Sequence, residues 1–404
     1  MYMRNRYQRG ERRSNFSRFP NKNKNNAQYA WSEKDLVKSI EYSKKNRRFE
    51  PETNYTPVSC FDDLPINRQL KINIKNKGFK TATPIQDQAI PHILEGKDLI
   101  GIANTGTGKT AAFLIPLIDK ASKDRNQKVL IVAPTRELAE QISNDMKVLS
   151  QNMHMYSALI IGGTSMFKQI HDLKRDPEIV IGTPGRLKDL VNKKILDLSQ
   201  YNNVVLDETD RMVDIGFVNE IKFFISLLPK QRQSLFFSAT VSKKVQDILA
   251  AFVHDPITVS VKKHDTCANI YQDIVRVSKN QRKVDTLIQL LTQKEFNKVI
   301  VFGNTKWGIQ KLTDELIHNG LRADAIHGDK RQNQRQSILQ KFKRSEISVL
   351  LATDVAARGL DISDVSHVIN YELPMSYNDY VHRIGRTGRA DKNGIALTFV
   401  SDFN

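Results

Sequence analysis

The stretch over residues 98–120 reads DLIGIANTGTGKTAAFLIPLIDK and decides the fold. A short apolar run over residues 98–103 predicts a buried strand, and residues 111–120 are compatible with a helix. Between them, ANTGTGKT over residues 103–110 has the composition of a loop that binds phosphate groups at the start of a helix. A strand, such a loop and a helix in this order predict an α/β domain built on a parallel sheet.

The chemistry of this loop is specific. Its glycines let the backbone turn so that amide groups face the phosphates, Lys109 supplies a positive charge, and the Thr110 hydroxyl can ligate magnesium. Ala103 stands where the general pattern GxxxxGK[ST] has its first glycine. The predicted nucleotide-binding residues of the loop are Ala103, Asn104, Thr105, Gly106, Thr107, Gly108, Lys109 and Thr110.

The rest of the chain repeats the same rhythm of short apolar runs and helix-period stretches. Further strands are predicted over residues 129–133, 158–161, 179–181, 204–206 and 235–237, and then over 274–277, 299–302, 323–326, 349–352, 365–369 and 396–400. We therefore predict an extension over 1–60, one α/β domain over 61–263, a linker over 264–270 and a second α/β domain over 271–404.

A pair of carboxylates follows a predicted buried strand in VVLDETD, residues 204–210. Acids at such a place are unfavourable unless a cation accompanies them. Asp207 is expected to hold Mg²⁺ through water, and Glu208 to orient or deprotonate the water that attacks the γ-phosphate of a nucleotide. A lone acid pair after a strand is a weak signal, but the phosphate loop strengthens it.

The segment HRIGRTGR, residues 382–389, places Arg383, Arg386 and Arg389 at three-residue spacing around two glycines. Each glycine costs about 1 kcal/mol in a helix interior, so a solvated basic helix face does not explain them. Because these arginines belong to the second domain and the phosphate loop to the first, the site is complete only when the domains close. The arginines then act on charge that develops at the γ-phosphate.

Composition points to a polyanionic partner. Lys and Arg outnumber Asp and Glu by 62 to 44, which gives a net charge of +18. Residues 1–26 hold eight Lys or Arg against a single acid, and we predict a disordered basic tail there. This tail is interpreted as a solubiliser, an organelle transit peptide or, on the strength of its interspersed aromatic residues, a loose contact to nucleic acid.

Other features bound the class of protein. The two cysteines, Cys60 and Cys267, lie far apart and outside any CxxC or Cys/His cluster, which fits a reducing compartment and no zinc site. The sequence contains no apolar run of the length that a membrane helix needs, and its start does not read as a secretory signal. We expect a cytoplasmic protein without membrane contact.

Ten short segments stand in order along the chain: GFKTATPIQ (78–86), ANTGTGKT, PTRELA (134–139), GG (162–163), TPGR (183–186), DETD, SAT (238–240), VFGNT (301–305), ATDVAARGLDI (352–362) and HRIGRTGR. The set, which runs from Phe61 nearly to the end, resembles the DEAD-box RNA helicases. The resemblance implies two tandem RecA-like domains, each a mostly parallel sheet with helices on both faces. It also implies an RNA-stimulated ATPase that uses ATP and Mg²⁺, acts on RNA with little sequence specificity and works as a monomer.

The resemblance assigns further roles by position. Gln86 reads the adenine edge, Phe79 stacks on its ring with Phe61 nearby, and Asp361 meets the ribose, while Arg386 and Arg389 serve as arginine fingers. Ser238 and Thr240 link hydrolysis to strand separation. The residues that follow the RNA backbone are Pro134, Thr135, Arg136, Gly163, Thr183, Arg186 and Thr353.

The sequence departs from the family pattern at two places. Thr209 replaces the usual Ala of the acidic motif, and we expect activity to survive because the chemistry belongs to its acids. The chain also stops at Asn404, soon after the last predicted strand, whereas family members usually continue with a helix that packs on the second domain. Either the protein is naturally short or the sequence is a fragment.

Three other functions remain open at the level of sequence. An ATP-gated RNA clamp or annealing factor would use the same residues without releasing a strand. A DNA-dependent translocase would share the paired domains, although the Gln86 motif and the absence of long insertions argue against it. A small-molecule kinase would share the phosphate loop but explains neither TPGR nor HRIGRTGR.

Overall fold

A computed structural model describes residues 32–45, 55–57, 60–104, 106–261, 270–278, 280–357, 362, 364–388 and 394–401. The predicted basic tail over residues 1–30 lies outside the described residues, as does the linker over 264–269. Within the described residues, no helix has both the length and the apolar character needed to cross a membrane.

The first domain is built on a seven-stranded sheet in the order β3-β4-β2-β5-β6-β1-β7, with parallel pairing between neighbours. Its strands are β1 (Leu99–Ala103), β2 (Val129–Val132), β3 (Ser157–Ile160), β4 (Ile179–Gly182), β5 (Asn203–Leu206), β6 (Gln233–Ser238) and β7 (Ile257–Val261). Its helices are α2 (Arg68–Asn76), α3 (Pro84–Leu94), α4 (Lys109–Lys123), α5 (Arg136–Leu149), α6 (Met166–Leu173), α7 (Pro184–Asn192), a 3-10 turn (Leu198–Gln200), α8 (Thr209–Ile215), α9 (Val218–Leu227) and α10 (Lys243–Phe252).

The second domain repeats the design with six strands in the order β10-β11-β9-β12-β13-β8, again parallel. Its strands are β8 (Ile270–Val277), β9 (Val299–Gly303), β10 (Ala323–Ile326), β11 (Val349–Thr353), β12 (His367–Asn370) and β13 (Gly394–Ser401). Its helices are α11 (Lys283–Leu291), α12 (Lys306–His318), α13 (Gln332–Lys343), α14 (Asp354–Ala357) and α15 (Tyr377–Ile384), and α1 (Glu33–Lys45) precedes the first domain in sequence.

Each sheet is covered on both faces, which explains why its strands read as continuous apolar runs. In the first domain, alternate residues of β2 belong to different cores: Ile131 packs with Phe113 of α4, and Leu130 packs with Phe236 and Phe224 on the other face. In the second domain, Val301 and Ile300 of β9 divide between two cores in the same way. The predicted pair of doubly covered parallel sheets is therefore confirmed.

The departures from prediction lie at edges and ends. β7 was not predicted, because this edge strand is half exposed and reads ITVSV rather than as an apolar run. β8 begins at Ile270, four residues before the predicted strand and at the last residue of the predicted linker. The extension over 1–60, predicted as largely disordered, contains α1, which was not anticipated either.

Close packing between β1 and β6 makes a prediction about Gly101. Its partner in the register is Phe237, and a Cβ atom at Gly101 would lie 2.5 Å from that ring. We expect Gly101→Ala to lower the free energy of unfolding by about 1–3 kcal/mol, because the strand that leads to the phosphate loop must shift. Denaturant unfolding measures this, with Gly185→Ala as the control because nothing lies within 4 Å of a Cβ there. Equal stability of the two variants would contradict the packing described.

Candidate active site at the domain interface

The phosphate loop lies between β1 and α4, as predicted. Gly106 and Gly108 have φ values of +80° and +92°, and a residue with a Cβ atom would be strained in this backbone conformation. Lys109 is buried, and its Nζ donates to the carbonyl of Ala103 at 2.8 Å, across the loop. Thr107 Oγ1 donates to the carbonyl of Asn104 at 2.8 Å. The loop is thus closed on itself, while Thr105 lies outside the described residues.

The acid pair, Asp207 and Glu208, directly follows β5, and both side chains are buried. Asp207 is 2 % exposed, and burial raises its pKa to about 7 even though the neighbouring Lys109 opposes the shift. Glu208 adopts a left-handed conformation with φ +48°, which is strained for a residue with a side chain. Burial would raise the pKa of Glu208, but Arg211, Lys109 and Arg386 hold it below its ordinary value. Glu208 is therefore ionised at neutral pH, whereas Asp207, with a pKa of about 7, is only partly ionised there.

The raised pKa of Asp207 fits a bound magnesium ion. Mg²⁺ takes oxygen ligands, usually one or two carboxylates together with phosphate oxygens and waters. The Asp207 carboxylate, directly after β5, and the Thr110 hydroxyl, in the first turn of α4, are oxygen ligands of this kind, and β5 and the strand that precedes α4 belong to one sheet. A divalent cation would also supply the positive charge that the buried Asp207 lacks.

Glu208 has a partner that the sequence analysis missed. Arg211 Nη1 lies 2.7 Å from Glu208 Oε2, and both side chains are almost fully buried. Because the two residues are one helical turn apart at the start of α8, the spacing alone contained the signal. The ion pair fixes the orientation of Glu208, the residue expected to act on water.

Arg386 enters this site from the second domain. It is 7 % exposed and lines a cleft together with Lys109, Glu208 and Asp210 of the first domain. Its Nε donates to the carbonyl of His382 at 3.3 Å, which holds the side chain near α15. The structure thus brings Arg386 to the acid pair, whereas Arg389 lies outside the described residues, as does Asp361. Their roles as arginine fingers and ribose contact stay predictions.

Arg383 is an internal anchor and does not line the cleft. It is 1 % exposed, and its Nε and Nη2 donate to the two carboxylate oxygens of Asp354 at 2.6 and 2.7 Å. It also donates to the carbonyl of Glu372 at 2.6 Å and to Asn304 Oδ1 at 2.8 Å. These bonds tie α15 to the ends of β9, β11 and β12. Arg383 and Arg386 are equally spaced in the motif, but Arg383 anchors the helix and Arg386 lines the cleft.

The acidic motif is joined to the predicted coupling residues. Asp210 Oδ2 accepts from the backbone of Ala239 at 3.2 Å and from both N and Oγ1 of Thr240 at 2.9 and 3.0 Å. Ser238 Oγ accepts from Asp210 N at 3.3 Å and donates to the carbonyl of Thr240 at 2.8 Å. These bonds join the loop after β5 directly to the end of β6.

Thr209, the departure from the family pattern, is fully buried without disturbing this network. Its Oγ1 donates to the carbonyl of Leu206 at 3.3 Å, a local bond that satisfies the hydroxyl.

The predicted adenine side lies beside the phosphate loop. Gln86 Oε1 accepts from Thr83 N at 3.0 Å, and its Nε2 donates to the carbonyl of Gly108 at 3.1 Å. A Cβ at Gly108 would lie 2.4 Å from Gln86 Nε2, and together with its positive φ this favours glycine there. Phe79 is partly exposed and stacks with the buried Phe61 at 6.3 Å between ring centroids. The Gln86 side chain thus connects the start of α3 to the phosphate loop.

The predicted RNA residues of the first domain share one edge of its sheet. Thr135 follows β2 and caps α5, Gly163 follows β3, and Thr183 follows β4 and precedes α7. The Arg136 guanidinium packs over Gly163, where a Cβ would lie 2.5 Å from Arg136 Nη1. These strands are neighbours in the order β3-β4-β2, and their carboxyl ends meet. The remaining predicted residues lie at the same ends: Pro134 and Arg186 in the first domain and Thr353 at the end of β11.

A second contact between the domains was not predicted. On α5, Glu137 lies 2.7 Å from Arg335 Nη2 of α13, and both side chains are buried. One turn later, Glu140 accepts from Gln332 at 3.1 Å and from Gln336 at 2.6 Å. Burial raises the pKa of Glu140 although both amides oppose it. Helix α13 therefore contacts the helix that begins at the predicted RNA residues, while Arg386, just after α15, reaches the predicted nucleotide site.

Comparison with known proteins assigns the family. A DEAD/DEAH box helicase domain matches residues 83–248, and a helicase conserved C-terminal domain matches residues 282–391. The chain belongs to the DEAD-box ATP-dependent RNA helicases. This DEAD-box protein is 46 % identical over 345 residues to the ATP-dependent RNA helicase CshA of Listeria monocytogenes, covering 85 % of this chain and 66 % of that protein.

Two further relatives agree. The DEAD-box ATP-dependent RNA helicase CshA of Bacillus licheniformis is 46 % identical over 343 residues, 84 % of this DEAD-box chain and 70 % of that protein. The chain therefore spans only about two thirds of the length of these curated relatives. The structure of S. cerevisiae Dbp5 bound to RNA and ADP BeF3 is 30 % identical, with a TM-score of 0.75, over 85 % of this chain and 90 % of that one.

The contact between α5 and α13 predicts that removing Arg335 weakens RNA binding in the presence of nucleotide. Arg335→Ala leaves Glu137 buried without its cation in the closed arrangement, so closure becomes unfavourable. We expect RNA affinity, measured by fluorescence anisotropy with a non-hydrolysable ATP analogue, to fall by about tenfold or more. Arg344→Ala, at the exposed C-terminal end of the same helix, is the matched control and should bind as the wild type does. Equal RNA affinity of the Arg335 and Arg344 variants would show that this contact does not contribute to closure.

Proposed function

We propose that this chain is an RNA-stimulated ATPase that couples ATP binding and hydrolysis in the interdomain cleft to RNA binding and local duplex unwinding. One observation carries the proposal: Arg386 of the second domain lies in the same cleft as Glu208 and Lys109 of the first. Family membership supports it, since the relatives are named as ATP-dependent RNA helicases.

Hydrolysis follows from the charges in the cleft. Glu208, held charged by Arg211, orients and deprotonates the attacking water. Lys109 and Arg386 approach the γ-phosphate from the two domains and stabilise the charge that develops there. Asp207 and Thr110 would hold Mg²⁺, which would neutralise negative charge on the phosphate groups. Gln86 and Phe79 select adenine, so ATP is preferred over GTP.

RNA is gripped through its backbone on the edge formed by β3, β4 and β2. The N-termini of α5 and α7 lie there and suit phosphate groups, because the first amides of a helix carry partial positive charge. Backbone contacts carry little sequence information, and 2′-hydroxyl contacts distinguish RNA from DNA. Closure of α13 over this edge bends the bound strand away from duplex geometry, and a few base pairs separate.

Hydrolysis and phosphate release reset the cleft. When the γ-phosphate leaves, Glu208 and Arg386 lose the group that they share, and the domains separate. The bonds of Asp210 to Ser238 and Thr240 pass the change to the end of β6. A monomeric state, a cytoplasmic location and an RNA contact by the basic tail belong to the same proposal.

The proposal predicts which nucleic acid stimulates the ATPase. Because the residues for nucleotide and for RNA are divided between the same two domains, RNA should raise the ATPase rate. DNA should not, because it lacks the 2′-hydroxyl groups. A steady-state titration with RNA, DNA of the same sequence and no nucleic acid measures this. An ATPase rate that RNA leaves unchanged would contradict the coupling, and stimulation by DNA alone would indicate a translocase. A duplex displacement assay then separates unwinding from clamping, since a clamp releases no strand.

The two charged groups that we expect to face the γ-phosphate, Glu208 and Arg386, should both be needed for hydrolysis and not for ATP binding. Glu208→Gln should still bind ATP and RNA together but lower kcat by about 100-fold or more, because the base is lost. Arg386→Ala should spare ATP affinity while lowering kcat by a similar factor. Nucleotide binding by fluorescence and phosphate release by a coupled assay measure the two effects. Turnover at the wild-type rate in the Glu208 variant would remove its assignment as general base.

A further inference from the structure

Helix α1 precedes the first domain in sequence but packs on the second. Leu36 and Ile40, one turn apart, are 2 % and 1 % exposed. They share an apolar cluster with residues of β8, β13 and α15: Ile270, Ala396, Tyr380 and Ile384. Because burial of large aliphatic side chains away from water is favourable, this contact stabilises the packing of α1 on the second domain.

Polar contacts fix both ends of the helix. Glu33 Oε1 accepts from Ser401 N at 3.2 Å, and Lys44 Nζ lies 2.9 Å from Asp273 Oδ1. Because Ser401 pairs with Val277, α1 runs antiparallel to β8, from its carboxyl end back towards its start. The register of α1 on the sheet is thus set by charge as well as by packing.

The helix that α1 supports is the one that leads to Arg386. Tyr380 and Ile384 lie on α15, and Tyr380 Oη also donates to Gln272 Oε1 of β8 at 2.8 Å. On the same helix Arg383 is held by Asp354, and Arg386 follows after one turn. α15 therefore shares an apolar cluster with α1 and β8 through Tyr380 and Ile384, and Arg383 bonds it to the strand ends.

After α1 the chain returns to the first domain beside the adenine side. Tyr55 Oη donates to Asp87 Oδ2 at 2.5 Å, and Asp87 is the neighbour of Gln86. Ten residue steps separate Lys45 from Tyr55, which at about 3.5 Å each gives a reach of at most about 35 Å. The chain therefore connects the two domains twice, once after β7 and once before α2.

We propose that α1 is a positioning element for ATP hydrolysis: through Leu36 and Ile40 it holds α15 in the orientation that delivers Arg386 to the γ-phosphate. The proposal rests on the function proposed above and adds a segment outside both helicase domains to its machinery. A misplacement of about 1 Å at a reacting centre can lower the rate 100-fold, so support behind α15 affects kcat.

The alternative is that α1 only covers and stabilises the second domain, and the two roles predict different effects on kcat when α1 is displaced. If α1 only stabilises the second domain, its loss lowers the fraction of folded protein and reduces every activity by the same factor. If α1 acts through Arg386, its loss has no further effect once Arg386 is gone. A double-mutant cycle separates the two.

The test uses the full chain and kcat at saturating ATP and RNA. We expect Ile40→Asp to lower kcat about tenfold, because a carboxylate in this cluster displaces α1 from α15. The same substitution in an Arg386→Ala background should lower kcat less than twofold. Ile40→Val, the conservative variant, and Lys38→Asp, which adds an acid on the exposed face of α1, should both stay near the wild type. Ile40→Ala replaces Ile40→Asp if the latter does not fold by circular dichroism.

An equal loss of kcat in both backgrounds would overturn the proposal and leave α1 as a cover. No loss in either background would overturn it as well. Failure of the proposed function has a different signature, since the wild-type chain itself would then lack RNA-stimulated ATPase activity.

Discussion

The structure depends on a pair of carboxylates held in a dry cleft. Asp207 and Glu208 follow β5, and burial opposes the charge of both. The first domain supplies Lys109 and Arg211 to balance them, and the second supplies Arg386. An isolated buried charge is among the most unfavourable features that a fold can carry. In the proposed function this arrangement favours closure onto a nucleotide with its cation, and the backbone strain at Glu208 lies at the residue that we assign to act on water.

Acids of one domain also meet partners of the other domain where α5 contacts α13, beside the predicted RNA residues. Glu137 and Glu140 are acids of the first domain that meet Arg335, Gln332 and Gln336 of the second. Each end of the cleft thus has acidic groups on one domain and their partners on the other. Because the partners at both ends belong to the second domain, the proposed function couples the nucleotide to the RNA through that domain. The bonds of Asp210 to the end of β6 add a second route within the first domain.

The sequence predicted the strands that carry a clear apolar run and missed β7, which lacks one. Fully apolar strands such as β2 and β9 were found, whereas the half-exposed edge strand β7 has no comparable run. Short motifs located the phosphate loop and the acid pair, because glycines and carboxylates are chemically specific. Spacing could not separate Arg383, an internal anchor, from Arg386, a residue of the cleft. Contacts between α5 and α13, or between α1 and α15, depend on tertiary neighbours that one sequence does not reveal.

The central claim is that nucleotide and RNA together bring the acid pair and Arg386 into one site. Pulsed electron paramagnetic resonance tests it directly, with spin labels at the exposed positions Lys147 and Lys341 and both native cysteines replaced by serine. The account predicts a short, narrow distance distribution only when RNA and a γ-phosphate analogue of ATP are both present, and longer, broader distributions with either alone. The same short distance with nucleotide alone, unaffected by RNA, would contradict it.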